Sequence, residues 1–373
     1  MLRFALRFII YDKPKSIGVV LGIIISTFLI GQQTGIFIFL TNAMSSLIDN
    51  TKADIWVVGN RTTDINSLSQ IDVRIGNQVQ SIPGVKHAYP LVITSGTARF
   101  REGKSTTVTI IGSQPPYFKG GPYRIDRGQL NDLLQDGAVG TDIFDKDNLN
   151  NIDLGTSFEI NGKRVHLVMQ TKGARGFGAT YIFTTLSRAR FLGNTPITKA
   201  SAFLIDVEPG EKAATICNRI NASVPGIKAW TQQDFSKSTV ATILASSGIA
   251  FSVGTLIIFA TISGLVIIGL TMYSAAMERL RDYGTLKAIG ANNRYIRNLI
   301  LSQAFFFGVT GYGIGIILLQ GFRNGIARSG VLFNYSFAVK ILFFLLTMFI
   351  SFGGAVFAMQ RIRKLEPASV FRN

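Results

Sequence analysis

Four uncharged runs organise the chain, with one large mixed segment and one short charged segment between them. Residues 16–48 form an uncharged run of 33 positions, and residues 238–277 one of 40. Residues 298–322 form a third, rich in Phe and Gly, and residues 341–360 a fourth. An α-helix rises about 1.5 Å per residue and the hydrocarbon core is about 30 Å thick, so each run can span a membrane. The first two would reach about 50 and about 60 Å as unbroken helices. They are therefore expected to project beyond the lipid, the second through a rigid stalk that precedes a buried part at 249–275. The run at 16–48 is longer than the roughly 7–15 apolar residues of a cleaved signal peptide, and no small-residue cleavage site is evident, so it is read as a retained anchor. Gly18/Gly22, Gly31/Gly35 and Gly311/Gly315 are each four apart, which lets a neighbouring helix approach closely. Gln32, Gln33 and Thr34 are expected to face protein or water. Residues 1–15 alternate Leu2, Phe4, Leu6, Phe8, Ile9 and Ile10 with Arg3, Arg7, Lys13 and Lys15. This suits either an interfacial helix or simply the basic flank of the first span.

The mixed segment, residues 49–235, has strand and turn signals of its own. SIPGVKHAYP at 81–90 matches SVPGIKAWTQ at 223–232. Each copy follows a helix-like stretch (73–80, 211–221), itself preceded by a β-rich stretch (53–58, 202–207). The pattern predicts two related βαβ-type units, 49–93 and 201–235, forming one α+β lobe. Residues 94–200 read as an inserted, mostly β lobe. Its alternating stretches 106–111, 157–160 and 165–169 are strand-like, with Asn161-Gly162 as a hairpin turn. The remaining divisions are a span with stalk at 238–276, a connector at 277–297, a span at 298–322, an outer loop at 323–340, a span at 341–360 and a basic tail at 361–373. The fold class is thus an α-helical membrane protein with four transmembrane helices and a large α+β extracytoplasmic domain.

Composition agrees. Of 373 residues, 47% are hydrophobic and 16% charged, too apolar for an ordinary soluble domain. The net charge of +17 could suggest nucleic acid. Residues 42–239, however, hold 22 basic and 17 acidic residues, and the remaining basic excess lies beside apolar runs. There it orients spans and meets anionic lipid, and no basic-aromatic nucleic-acid motif is present. With both termini and the connector on one side, that side carries 13 basic and four acidic residues, against Arg323, Arg328 and Lys340 in the short outer loop. The positive-inside rule then places the termini and connector in the cytosol and the large domain outside. A single cysteine, Cys217, excludes an internal disulfide.

No catalytic, cofactor-binding or metal site is expected. The two histidines, His87 and His166, are far apart in sequence, and no HExxH or GxSxG occurs. ARFREGKS at 98–105 ends like a phosphate loop but has Ala98 in place of the first glycine, and reads as a charged hairpin turn. KGARGFGAT at 172–180 reads as a flexible or closely packed loop rather than a nucleotide site.

The connector is more informative. Met277, Leu280, Tyr283, Leu286 and Ile289 recur every third residue among Glu278, Arg279, Arg281, Asp282 and Lys287. A spacing of three drifts around a 3.6-residue helix, so short helical pieces broken at Gly284 and Gly290 are expected. Such pieces suit docking into a groove on a soluble partner; a solvated loop that only sets topology is the alternative.

From Glu278, Arg279, Arg281, Asp282, Tyr283, Gly284 through Leu286, Lys287, Ala288, Gly290 and Ala291, the connector resembles the MacB/FtsX family of ABC transporter permeases. The family segment reads approximately E-R-x-R-E-I-G-x-L-K/R-A-x-G-A. Asp282-Tyr283 replace the commoner Glu-Ile, and Gln303 stands where many members have Glu. The tail KLEPASVFR at 364–372 resembles the family's Pro-containing tail. The loop at 176–184 and Pro209-Gly210 look most like the DevC-type branch. The resemblance implies a non-catalytic, homodimeric permease subunit of a bacterial inner membrane, worked by a separate ABC ATPase that binds the ATP and Mg. The connector would be its coupling helix, at Glu278, Arg279, Arg281, Asp282, Tyr283, Gly284, Leu286, Lys287 and Gly290. It further implies efflux or secretion through a tripartite pump with a periplasmic membrane-fusion adaptor and an outer-membrane channel. A lipoprotein- or lipid-extracting permease and an FtsX-like regulator of a cell-wall hydrolase are the alternatives.

Overall fold

The first uncharged run forms one helix, α1 (Lys13–Met44), of 32 residues, about 48 Å long. Ser45 interrupts it, and a short helix, α2 (Ser46–Asn50), follows. The computed structural model describes residues 13–278 and 280–362. The chain folds as two compact units, Leu40–Gly248 on the one hand and Met1–Phe39 with Ile249–Asn373 on the other. Residues 1–12 and 363–373, which hold most of the expected amphipathic start and basic tail, lie outside the described residues.

The Leu40–Gly248 unit is an α/β domain. In chain order it comprises β1 (Ile55–Gly59), β2 (Ile71–Asp72), α3 (Arg74–Gln80), β3 (Val85–Arg99), β4 (Ser105–Ser113), β5 (Ile125–Arg127), β6 (Ala138–Asp142), β7 (Ser157–Ile160), β8 (Lys163–Thr171), β9 (Tyr181–Thr185), α4 (Leu186–Leu192), β10 (Lys199–Ala200), β11 (Ala202–Val207), α5 (Ala213–Ser223), β12 (Ile227–Thr231) and α6 (Gln232–Ser247). A ten-stranded sheet runs β12-β1-β11-β3-β4-β9-β6-β8-β5, with β7 paired to β3 and β8.

The two repeat copies form interleaved split βαβ units. β1, α3 and β3 make the first, with β11 between its strands; β11, α5 and β12 make the second, with β1 between its strands. All four strands pair antiparallel to their neighbours, so the strands of each unit are parallel to each other, as in the ferredoxin-like arrangement. The Pro-Gly turns match as well, with φ +93° at Gly84 and +84° at Gly226. β1 is buried at every position because both sheet faces are covered. Ile55 and Val57 face a core built with Val79, Ile216 and Ile220 of the helices, while Trp56 and Val58 face one that includes Leu47, Ile48 and Phe235.

The inserted segment does not start a separate sheet. The expected boundary at residue 94 falls within β3, whose 15 residues continue into pairing with β4 and β7. Asn161 and Gly162 form the turn between β7 and β8, both with positive φ.

The other unit is helical: α1 with α7 (Ile249–Glu278), α8 (Leu280–Ala288), α9 (Asn293–Ile326) and α10 (Phe337–Ile362). Four of its helices are long and apolar enough to cross a membrane. Their outward residues are apolar too. On α1, Ile17, Leu21, Ile25 and Leu29 are exposed at four-residue spacing, while Val19, Ile23 and Ile30 are buried. That is the pattern of a helix with lipid on one side and protein on the other.

The uninterrupted rod expected over 238–277 is corrected. Gly248 caps α6 in the left-handed conformation (φ +66°), and α7 starts immediately after it. A left-handed residue ends an α-helix because its carbonyl and amide leave the ladder, and glycine takes that conformation without steric cost. The third span is longer than expected, reaching from Asn293 to Ile326, so Arg294 and Arg297 lie on its first turns and not in the connector.

Candidate functional site

The connector folds as one amphipathic helix of about two and a half turns rather than as pieces broken at Gly284. Gly284 lies inside α8 and is buried, which corrects the expected break. Tyr283 is 5% exposed and joins the core of the helical unit, with Leu286 packed against it beside Ile296, Leu299 and Ile300. Arg281, Asp282 and Thr285 are exposed on the other face, and Lys287 is half-buried. The three-residue spacing drifts as anticipated: Tyr283 and Leu286 face in, whereas Met277 and Ile289 face out.

Gly290 does end the helix. Its φ is +103°; its amide bonds the Lys287 carbonyl at 3.0 Å, and the Ala291 amide bonds the Leu286 carbonyl at 2.9 Å. This crossed pair is the Schellman arrangement, which needs a residue at positive φ and so favours glycine. Asn292 then caps α9, its Oδ1 accepting from the Tyr295 amide at 2.8 Å. The local sequence K-A-I-G-A-N therefore encodes a helix stop and a helix start two residues apart. Ile289 stands at this tip, 80% exposed, with Asn292, Asn293 and Arg294 also exposed. An exposed aliphatic side chain followed closely in sequence by exposed polar and cationic residues suits a docking anchor with a wet rim.

Of the sequence-derived coupling residues, the structure gathers Arg281, Asp282 and Gly290 on the outward side, with Glu278 exposed at the end of α7. Tyr283, Gly284 and Leu286 instead seat α8 on the helical unit. Arg279 lies outside the described residues. Sequence reasoning named Ile289 only as one member of the every-third-residue stripe and did not single it out as an exposed tip residue. The Gly-Ala-Asn-Asn signal that follows could have identified it as a tip.

The paired glycines sit where helices touch within the helical unit. A Cβ at Gly22 would lie 2.8 Å from Ile267 Cγ2 of α7, and one at Gly315 3.0 Å from Thr27 Cγ2 of α1. A Cβ at Gly31 would overlap Leu319, and one at Gly311 would overlap Ile23. Gly35 faces Phe333 and Tyr335 of the α9–α10 connection, 2.6 Å from its own would-be Cβ, whereas Gly18 leaves an ordinary 3.4 Å contact to Thr271. Hydroxyls complete these seams. Thr27 and Thr347 share a 3.0 Å bond, Ser351 donates to the Ala304 carbonyl at 2.7 Å, and Tyr335 donates to the Gly31 carbonyl at 2.8 Å. Polar groups among apolar helices must find partners, because lipid offers none.

In the α/β unit the Gly-rich loop 172–180 is closely packed. Asp142 accepts from the Ala174 amide at 2.7 Å and from Thr171 Oγ1 at 3.0 Å, and Arg175 donates to Asp145 at 2.8 Å. Asp145 is 1% exposed, and burial raises its carboxyl to about 6 despite the opposing Arg175. A carboxyl raised on folding favours the folded state below its unfolded value of about 3.9 and loses that contribution as pH rises through about 6. The unfolding midpoint of the detergent-solubilised protein is therefore expected to fall between about pH 4 and about pH 6. Asp145→Asn should flatten that slope, measured by thermal unfolding across the range; an unchanged slope would assign it to other groups. Asp136 and Asp153 are shifted downward by their cationic and backbone partners, so their contribution is lost as pH falls and has the opposite sign. Among the described residues, no cluster of three or more His, Cys, Asp or Glu could hold a metal.

The comparisons place this architecture. Residues 16–223 match the MacB-like periplasmic core domain, and residues 239–367 the FtsX-like permease C-terminal domain. Two uncharacterized ABC transporter permeases of Mycobacterium tuberculosis, from strains CDC 1551 / Oshkosh and ATCC 25618 / H37Rv, are 26% identical over 80% of this chain and 80% of theirs. The macrolide export ATP-binding/permease protein MacB of Haemophilus ducreyi is 25% identical over 94% of this chain, which spans 52% of that protein. Among solved structures, the periplasmic region of MacB from Actinobacillus actinomycetemcomitans is 10% identical, covering 54% of this chain and 96% of that one at a TM-score of 0.39. The extracellular domain of the noncanonic ABC-type transporter YknZ from Gram-positive bacteria is 15% identical, covering 48% and 100% at a TM-score of 0.36. The domain matches and the four apolar helices make this an inner-membrane protein with an extracytoplasmic α/β unit. With a MacB-like core domain over more than half of its length and an FtsX-like permease domain over most of the rest, the chain belongs to the MacB/FtsX family of ABC transporter permeases, a membership that implies an ABC ATPase as partner.

Proposed function

We propose that this chain is a permease subunit that turns ATP hydrolysis by a separate ATPase into movement of its extracytoplasmic unit, driving efflux or secretion. The single observation that carries the reading is the α8 tip: a helix seated by Tyr283 and Leu286, closed by the Gly290 turn, and presenting Ile289, Arg281 and Asp282 outward. The basic residues clustered at 278–297 put that tip in the cytosol by the positive-inside rule, where an ATPase is available. Both termini lie on the same side. Switching a two-state assembly from about 1:99 to 99:1 needs about 5.5 kcal/mol of differential binding, which nucleotide chemistry in the partner supplies.

Work delivered at α8 reaches the α/β unit by the chain segments that enter and leave it. α1 is unbroken to Met44, whereas the returning segment is jointed at Gly248. One segment thus suits a strut and the other a hinge, in place of two stiff levers. A homodimer of DevC-like type, working with a membrane-fusion adaptor and an outer-membrane channel, is the assembly this reading entails. Purification of the full chain in mild detergent, with identification of every co-purifying protein, tests it. An ABC ATPase together with an adaptor is expected; a peptidoglycan hydrolase without an adaptor would replace transport with signalling.

A further inference from the structure

The hairpin that imitates a phosphate loop in sequence does form a cationic cleft, by a different route. β3 ends at Arg99, and residues 100–104 turn back into β4, with the Phe100 amide bonded to the Lys104 carbonyl at 3.0 Å. The β7–β8 hairpin adds to β3 beside it. Register aligns Ser105 with Arg99, Arg99 with Glu159, and Glu159 with Arg164. Directly paired residues on antiparallel strands point to the same face, so one row across four strands reads Ser-Arg-Glu-Arg. All four residues are exposed, as is Arg101 in the turn. Beneath them Phe100 and Phe158 stack at 5.6 Å and are buried, fixing the floor. The cleft has a volume of ≈ 690 Å³ and is lined by Arg99, Arg101, Arg164, Ser105, Ser157 and Glu159 among others.

Three guanidinium groups against one carboxylate leave the cleft cationic. None of the three makes a hydrogen bond or ion pair among the described residues. Elsewhere in the unit, Arg175 and Arg188 are engaged by Asp145 and Asp136, and Arg219 by Glu211. Unengaged arginines gathered round a cleft that also holds two serine hydroxyls provide fork-shaped and single donors suited to a tetrahedral oxyanion. We infer that this cleft binds a phosphate or sulphate group, free or as the ester of a small polar molecule. The volume exceeds what a bare ion needs and leaves room for a sugar-sized carrier. The inference is independent of the permease reading.

Full-length protein in neutral detergent would be titrated calorimetrically with inorganic phosphate and with glucose 6-phosphate, with chloride as control at constant ionic strength. Saturable binding of either phosphate probe, with no heat from chloride, is expected. Tighter binding of the sugar phosphate assigns the site to esters, and equal binding assigns it to free phosphate. Arg99→Gln with Arg164→Gln should weaken binding by at least about tenfold, since each removes charge-assisted hydrogen bonds. Glu159→Gln, which removes the one negative charge in the cleft that repels an anion, should tighten it, and this conservative surface change guards against a fold defect. Binding no different from chloride would overturn the inference. So would equal weakening by Lys212→Gln, a remote surface change, because the effect would then be one of overall charge and not of this cleft.

Discussion

Replacing Ile289 with Asp together with Arg281 with Glu is expected to lower capture of the partner ATPase by at least about tenfold, while membrane insertion and thermal stability stay unchanged. Truncating a central interface anchor typically costs 2 kcal/mol or more, and about 1.4 kcal/mol is a factor of ten. Ile289 is 80% exposed and Arg281 is exposed on α8, so neither substitution removes packing from the helical unit. Reversing Arg279 as well extends the same test to a residue outside the described positions. Tyr283→Ala should behave differently. Tyr283 is buried against the core that includes Ile296 and Leu299, so its loss should weaken ATPase capture and stability together. That separation distinguishes a docking surface from a support. Unchanged capture and unchanged export by the Ile289/Arg281 variant would remove the coupling role from α8.

The second large effect concerns the helix seams. Gly31→Val is expected to destabilise the helical unit by about 1–3 kcal/mol, the usual range for inserting methyl groups into a packed site. The added Cβ would fall on the Leu319 side chain, and Leu319 is only 1% exposed, so little space is available for relief. Leu319→Ala alone should also destabilise, by leaving a cavity. The double variant should recover part of the loss, because the new side chain fills the space vacated. The coupling between the two, read from resistance of the detergent-solubilised protein to heat, should be favourable and distinct from zero. Additive effects would mean that the glycine and the leucine do not meet.

Much of this architecture is legible in the sequence because the bilayer imposes simple length and polarity rules. The uncharged runs mark the spans, and the twice-written Pro-Gly turn marks the split βαβ pair. Other features depend on information that the pattern lacks. Gly248 lies in an uncharged run with no proline or charge nearby, so nothing distinguishes a left-handed joint from a glycine inside a helix. Gly284 is the converse case: glycine can break a helix, but it also permits close packing, and here it is buried within α8. Gly290 is readable because Ala291 and Asn292 follow it, completing a stop and a start. At the tip between α8 and α9 the period-three stripe names Ile289 without fixing its environment, since burial depends on where the helix ends. The Ser105–Arg99–Glu159–Arg164 row is hidden for another reason. Its members are up to 65 positions apart, and only the register between two hairpins brings them onto one face.

The central claim is that a cytosolic partner docks at the tip between α8 and α9, and a cysteine cross-link tests it most directly. Cys217 is buried and its thiol is pushed up to about 12, so it does not compete for a thiol reagent. Ile289→Cys is then the one reactive thiol on the chain. A short bifunctional cross-linker applied to the assembled complex is expected to join position 289 to the ATPase, with a yield that changes when a non-hydrolysable ATP analogue is added. Labelling of position 289 only by a membrane-impermeant reagent from the extracytoplasmic side, with no cross-link to the ATPase, would contradict the account.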